Sequence, residues 1–150
     1  MTVQHETLRF DRRFQATPAA LFAAYADTEV RQAWSAPTPR TEVRIERCDL
    51  RAGGTEFARC GSPGDLKWIM QTAYHVVEPA ALISFTEVLS EGAKVLTVAL
   101  ITFDIRADGT GSRLILTDQV TSFVGVGGVD GHRDGYTQAL GNLGQVLVAS

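Results

Sequence analysis

The sequence has few cysteines, no long apolar run and no excess of positive charge, and each absence excludes a class of protein. Only two cysteines occur, Cys48 and Cys60, and neither has an adjacent histidine. On paired strands either side of a turn near Ala52 they would be out of register by about four residues, roughly 13 Å along the strand. A disulfide needs Cα atoms within about 7 Å, so we expect two free thiols. The spacing is not that of a zinc site either.

Charge and hydropathy exclude two further classes. The sequence has 14 Lys and Arg against 17 Asp and Glu, which gives a net charge of −3. This balance argues against nucleic acid as the partner, because phosphate binding needs a concentrated positive face. The strongest apolar run, residues 95–103, is far shorter than the roughly 20 residues of a membrane span. The first seven residues do not resemble a signal peptide. We therefore expect a cytoplasmic protein without a membrane span, folded as one domain over residues 1–150.

Alternating apolar and polar residues predict about six or seven strands, with two short helices after the first. The strands are expected at residues 8–16, 41–48, 55–60, 67–77, 82–89, 95–106 and 113–121. Thr17 and Pro18 suit the N-cap and first position of one helix, and Asp27 restarts a second that Pro37 ends. Tight turns between successive strands make neighbouring strands antiparallel.

The last stretch, residues 130–148, is predicted to be a long helix on the sheet. Its apolar stripe recurs at helical spacing through Tyr136, Leu140, Leu143 and Leu147. Asp130 is the predicted N-cap. Four glycines in the stretch would each weaken an isolated helix by roughly 1 kcal/mol relative to alanine. Tertiary contact must therefore hold it, and the predicted fold is α+β, a curved antiparallel sheet wrapped around a long C-terminal helix with room for a cavity.

A glycine-rich segment, residues 125–131, precedes that helix and invites comparison with a phosphate-binding loop. The G-x-G-x-x-G spacing fails because Asp130 stands where the last glycine should be, and no Gly-Lys-Ser/Thr follows. An aspartate at a helix start would also repel phosphate. We interpret the segment as a flexible lid over the cavity, and we expect no cofactor.

Six short segments, in this order, resemble those of the helix-grip superfamily (START and Bet v 1-like domains). They are ATPAALFAAY (16–25), Trp34-x-x-Pro37, RAGGTEF (51–57), VEPAALISFT (77–86), GTGSRLILT (109–117) and GHRDGY (131–136). Within the superfamily the chain is most similar to bacterial homologues of the C-terminal domain of the Hsp90 ATPase activator, which usually have tryptophan where Tyr136 stands. The resemblance implies an apolar pocket between sheet and helix. It does not fix activity, because members include ligand carriers, cyclases and chaperone partners.

A set of aromatic, thioether and polar side chains gives the candidate ligand-binding residues. They are Trp34, Trp68, Met70, Tyr74, Phe85, Phe103, Asp118, Phe123, His132 and Tyr136. Aromatic rings with one polar tip suit a pocket that needs shape and a few hydrogen bonds. The alternative is a plain filled core, which is the preferred interpretation for Phe85 and Phe103.

Three of these candidates, Asp118, His132 and Tyr74, could transfer protons. Asp118 shares a strand face with Leu116 and would place a carboxylate at the pocket rim, or else lie in water at a strand end. His132 would lie in the first turn of the last helix, where helix capping is the preferred interpretation over acid/base chemistry. His75 points away from the side chain of Tyr74 by strand alternation. The three histidines lie on different elements and predict no metal site.

Three functions are therefore weighed, in this order. The first is a binding protein for an apolar small molecule. The second is a cyclase, dehydratase or hydrolase that uses Asp118, His132 or Tyr74 as acid or base. The third is a protein-interaction domain with a chaperone partner. The sequence leaves open a homodimer, and a nucleophilic enzyme has no support because no G-x-S-x-G elbow occurs.

Overall fold

The computed structural model describes residues 2–149, which form one seven-stranded antiparallel sheet and three helices. In chain order the elements are β1 (Gln4–Phe14), α1 (Pro18–Ala26), α2 (Thr28–Ser35), β2 (Glu42–Cys48), β3 (Thr55–Ser62), β4 (Asp65–Glu78), β5 (Leu82–Glu91), β6 (Lys94–Asp108), β7 (Gly111–Ser122) and α3 (Val126–Ala149). The strands lie in the order β1-β7-β6-β5-β4-β3-β2. The predicted α+β helix-grip fold is confirmed.

The two short helices begin where their capping residues predict. The Thr17 side chain accepts a hydrogen bond from the Ala20 amide at 3.2 Å, and Pro18 occupies the first turn. Asp27 accepts from the amides of Glu29 and Val30 at 3.0 and 3.2 Å. These acceptors satisfy amides that have no partner within the helix, so local sequence fixes both helix starts.

Strand register determines which side chains share the inner face of the sheet. Glu87 of β5 is opposite Thr72 of β4 on one side and Ala99 of β6 on the other. Because side chains alternate along a strand, Phe85 and Leu89 share the face of Glu87. This face lines the interior of the protein.

α3 begins at Val126, so the prediction that Asp130 is its N-cap is wrong, and so is the prediction that residues 125–131 form a flexible lid. The reason is a close approach of the helix to the sheet. A Cβ atom at Gly128 would lie 2.1 Å from Ser122 Oγ, so only glycine fits there. Ser122 Oγ also donates to the Gly125 carbonyl at 2.7 Å and stabilises the turn into the helix.

The predicted apolar stripe holds α3 against the rest of the protein. Leu140 and Leu143 are almost fully buried in the core, while Tyr136 and Leu147 pack at its edge. The helix packs mainly on α2, β1 and β7. It therefore covers one half of the sheet and leaves space over the inner face of the other strands.

Both cysteines are free thiols, as predicted. Cys48 pairs across the strands with Glu56 and Cys60 pairs with Val43, so the sheet register keeps the two sulfurs on different rungs. None of the helices formed by residues 2–149 has the length and apolar content that a membrane crossing requires.

Candidate functional site

A cavity of about 410 Å³ lies between the sheet and the helices α2 and α3. Seven of the predicted ligand-binding residues line it: Trp34, Trp68, Met70, Phe85, Phe103, His132 and Tyr136. The aromatic rings of Phe85, Phe103 and Tyr136 form a continuous wall, with centroid distances of 6.1 Å between the first two and 6.4 Å between the last two. The wall is apolar and gives the cavity a defined shape.

The other three predicted residues do not line the cavity. Tyr74 is 1% exposed and lies behind the wall, and Phe123 is half-buried beyond the end of β7. Asp118 is fully buried, so both the rim position and the solvated strand end predicted for it are wrong. Its place beside two apolar neighbours, Leu114 and Leu116, is explained by a charged partner on α3.

That partner is His132, and the prediction that it caps the helix is wrong. Its Nδ1 lies 2.6 Å from Asp118 Oδ2, and its Nε2 lies 2.9 Å from Thr97 Oγ1. Burial opposes the charged imidazole, but the hydrogen bond and charge of Asp118, with the charge of Glu87, outweigh it and raise the pKa of His132. The imidazolium then donates to both neighbours, which fixes the ring at the cavity wall.

A second buried cluster joins α2 to the sheet through an ion pair. Arg31 donates from Nη1 and Nη2 to the two carboxylate oxygens of Glu56 at 3.0 and 2.5 Å. Tyr74 donates to the same carboxylate at 2.9 Å, so Tyr25, 2.9 Å from the Tyr74 oxygen, donates to that oxygen in turn. The Arg31 guanidinium also lies 4.2 Å from the centre of the Tyr25 ring. The bidentate geometry and the stacking are the contacts by which arginine is held in a buried site.

Burial dominates the acidity of both tyrosines in this cluster. It raises the pKa of Tyr25 and of Tyr74 well above the ordinary value for tyrosine, although the charge of Arg31 opposes the shift in each. Both hydroxyls therefore stay protonated near neutral pH and act as hydrogen-bond groups. Tyr74 is committed to Glu56, which removes it from the acid/base candidates.

A third carboxylate, that of Glu87, faces the cavity without a partner. It makes no hydrogen bond or salt bridge with any of residues 2–149. The Glu87 side chain is half-buried, and its loss of hydration raises its pKa to about 7; the charge of His132 lowers it, and that of Asp118 raises it. A carboxyl group with a pKa near neutrality can hold or release a proton under physiological conditions.

Sequence reasoning missed Arg31, Glu56 and Glu87, although strand alternation contains a signal for two of them. Glu56 shares its strand face with Ala58 and Cys60, and Glu87 shares its face with Phe85. A charge on an apolar face by period two predicts a buried polar group. Arg31 has no comparable signal, because an arginine in a short helix is usually solvated.

The comparisons with known proteins agree with this architecture. Residues 15–148 match the sequence profile of the family described as "Activator of Hsp90 ATPase homolog 1-like protein". No curated protein matches the chain.

Several solved structures share the fold along the whole chain. A protein from Rhizobium leguminosarum is 24% identical with a TM-score of 0.87, and the alignment covers 99% of this chain and 98% of that one. A protein from Rhizobium loti is 26% identical with a TM-score of 0.84, covering 98% and 100%. A protein from Mycobacterium smegmatis is 19% identical with a TM-score of 0.81, covering 100% and 98%.

Proposed function

The chain belongs to the family of Activator of Hsp90 ATPase homolog 1-like proteins, which has the helix-grip fold, and on that premise we propose that it binds an apolar small molecule between the sheet and α3. The cavity of about 410 Å³ carries this proposal. Protein interiors are close-packed, with few voids larger than a water molecule. A space of this size, lined by aromatic rings with a few polar groups, has the volume and character of small-molecule sites.

Binding can be followed through the two tryptophans, Trp34 and Trp68, because both line the cavity and the sequence has no others. A panel of lipids and aromatic metabolites would be screened by tryptophan fluorescence and confirmed by NMR titration. Ligands that enter the cavity should shift the resonances of Trp68 and Tyr136. No binding by any ligand at millimolar concentration would contradict the proposal.

A matched pair of variants tests whether binding occurs inside the cavity. Ala139 is buried and lines the cavity, whereas Ala107 is exposed on β6. Ala139→Leu places a larger side chain in the cavity and should weaken binding about tenfold or more, since ligand and side chain compete for the same volume. Ala107→Leu adds the same atoms outside and should leave binding unchanged. Equal binding by both variants would place the ligand elsewhere.

A second candidate function is proton-transfer catalysis on the bound molecule, which the contact of His132 with Asp118 favours. A histidine oriented by a buried carboxylate and positioned at the cavity wall has the arrangement of a general acid or base. Once a ligand is found, its conversion would be compared between wild type, Asp118→Asn and His132→Gln. Conversion at the same rate in all three would exclude this role.

The family description also refers to activation of the Hsp90 ATPase. Stimulation of an Hsp90 ATPase to the same extent by wild type and Ala139→Leu would favour a protein-interaction role that does not use the cavity.

A further inference from the structure

The acidic and basic groups that line the cavity or lie directly behind its wall do not balance. The acids are Glu56, Asp118 and Glu87, and the bases are Arg31 and His132. Glu56 is paired with Arg31 and Asp118 with His132, each through a hydrogen-bonded contact. Glu87 is the one carboxylate of the three that makes no hydrogen bond or ion pair with a cation among residues 2–149; the charge of His132 reaches it only without direct contact. The site is therefore one positive charge short.

The position of Glu87 keeps that charge unmatched within the protein. Its neighbours across the sheet, Thr72 and Ala99, carry no charge, and the inward-facing residues before and after it, Phe85 and Leu89, are apolar. An ionised carboxylate is costly in such surroundings unless a cation pairs with it. A positively charged group that enters the cavity would be placed to pair with the Glu87 carboxylate.

The titratable and charged groups that surround Glu87 come from four elements packed around the cavity. They are Glu56 and Cys60 on β3, Arg31 on α2, Asp118 on β7, and His132 and Tyr136 on α3. Their charges largely cancel in pairs, so burial remains the dominant influence and the pKa of Glu87 is raised to about 7. Near neutral pH the empty site relieves part of its missing charge by taking up a proton.

The aromatic wall would also favour a cation beside this carboxylate. Phe85, Phe103 and Tyr136 line the same cavity as Glu87. A cation over an aromatic face is attracted by the electron density of the ring, and more strongly when water is excluded. Within residues 2–149, the one guanidinium that lines the cavity is that of Arg31, which lies over Tyr25 and is committed to Glu56.

We propose that the ligand of this cavity is an apolar molecule that carries one protonated amine, and that the amine pairs with the Glu87 carboxylate while the apolar body lies against the aromatic wall. This inference rests on the proposed ligand-binding function. A protonated amine entering a site with a neutral Glu87 forms the ion pair only when the carboxyl proton leaves to the buffer. A neutral ligand causes no such release.

Two probes of nearly equal shape separate the inference from the function on which it rests. Naphthylmethylamine carries an ammonium group, and naphthylmethanol has a hydroxyl in the same place. Titration calorimetry in buffers of different ionisation heat measures the protons released. With a carboxyl pKa of about 7, Glu87 is mostly protonated at pH 6 and mostly ionised at pH 8, so amine binding should release about 0.9 proton at pH 6 and about 0.1 at pH 8. The affinity for the amine should rise about tenfold between these pH values. The alcohol should release none at either.

Glu87→Gln and Glu78→Gln form the matched variants, because Glu78 carries the same group on the exposed end of β4. At pH 8 the ratio of amine affinity to alcohol affinity should fall about tenfold or more in Glu87→Gln, since a charge-assisted contact is lost, and should stay the same in Glu78→Gln. Circular dichroism would verify that both variants fold. Proton release should disappear only in Glu87→Gln.

The outcomes are distinguishable. Failure of both probes to bind wild type would contradict the ligand-binding function itself. Binding of the two probes with equal affinity, or an amine affinity that Glu87→Gln leaves unchanged, would overturn the amine assignment while the binding function stands. Preferential binding of the alcohol would also overturn it.

Discussion

Replacing Arg31 by methionine should destabilise the protein more than a typical single substitution. The side chains of Arg31 and Glu56 are 7% and 8% exposed, and the guanidinium makes two hydrogen bonds to the carboxylate. The change leaves the Glu56 carboxylate buried without its cation, while the Tyr74 hydroxyl still donates to it at 2.9 Å. Breaking a buried pair from one side costs about 3–5 kcal/mol, because the remaining charge stays desolvated. That is a large part of the roughly 5–15 kcal/mol by which a domain is stable.

A second substitution tests whether the loss comes from the unpaired charge. Combining Arg31→Met with Glu56→Gln removes the remaining charge and keeps an acceptor for the Tyr74 hydroxyl. The double variant should therefore recover about 1–3 kcal/mol of the loss, since a neutral buried pair avoids the desolvation of an isolated ion. Urea unfolding followed by circular dichroism gives the free energies, and the cycle gives the coupling between the two sites.

An exposed pair in the same sheet serves as the control. Arg59 Nε lies 2.9 Å from Glu46 Oε1, but both side chains are more than a third exposed. Arg59→Met should cost less than about 1 kcal/mol, because water screens a surface pair. If Arg31→Met cost no more than this control, or if the double variant recovered nothing, the assignment of Arg31 and Glu56 as a buried ion pair would be refuted.

Three further predictions concern α3 and the cavity acids. Gly128→Ala should destabilise by about 1–3 kcal/mol, since its Cβ would overlap the sheet, whereas Gly141→Ala, whose Cβ meets nothing within 4 Å, should stabilise by about 1 kcal/mol in urea unfolding. The pKa of Glu87 is raised from 4.5 to about 7 by burial, so the free energy of unfolding falls as pH rises through this range. Glu87→Gln should remove this fall. At pH 8 the variant should be more stable than wild type, by roughly 3 kcal/mol at most. The raised pKa of His132 stabilises the fold at low pH, and the effect is lost as pH rises through that pKa; a pH series of unfolding in Asp118→Asn should lack this loss.

Most of the fold could be predicted from the sequence because its signals are local. Alternation of apolar residues, turn residues and helix caps each act over a few positions, and they place the strands and the two short helices. The start of α3 could not be predicted in the same way. Gly127 and Gly128 lower helix propensity. The contact that requires glycine at position 128 is with Ser122, the last residue of β7, on the other side of the turn. Tertiary packing overrides local preference there.

The site was only half predictable for a related reason. The aromatic residues of the candidate set follow from residue type and position along the strands and α3, and most of them line the cavity. The charges depend on long-range partners: Arg31 meets Glu56 from another element, and His132 meets Asp118 from another layer. One sequence carries no information on such pairs, so it predicts a pocket rim or a solvated strand end for Asp118 and a helix cap for His132.

The same charges help to explain why the cavity persists instead of collapsing. α3 is fixed to β7 and β6 by the contacts of His132 with Asp118 and Thr97, and Gly128 brings its first turns close to the same strands. The helix cannot move over β5 without breaking these contacts. Collapse onto β5 would also enclose Glu87 fully with no cation, which penalises the collapsed state. The carboxylate of Glu87 therefore lowers the stability of the fold and helps to keep the interior unfilled, a cost that is common at functional sites.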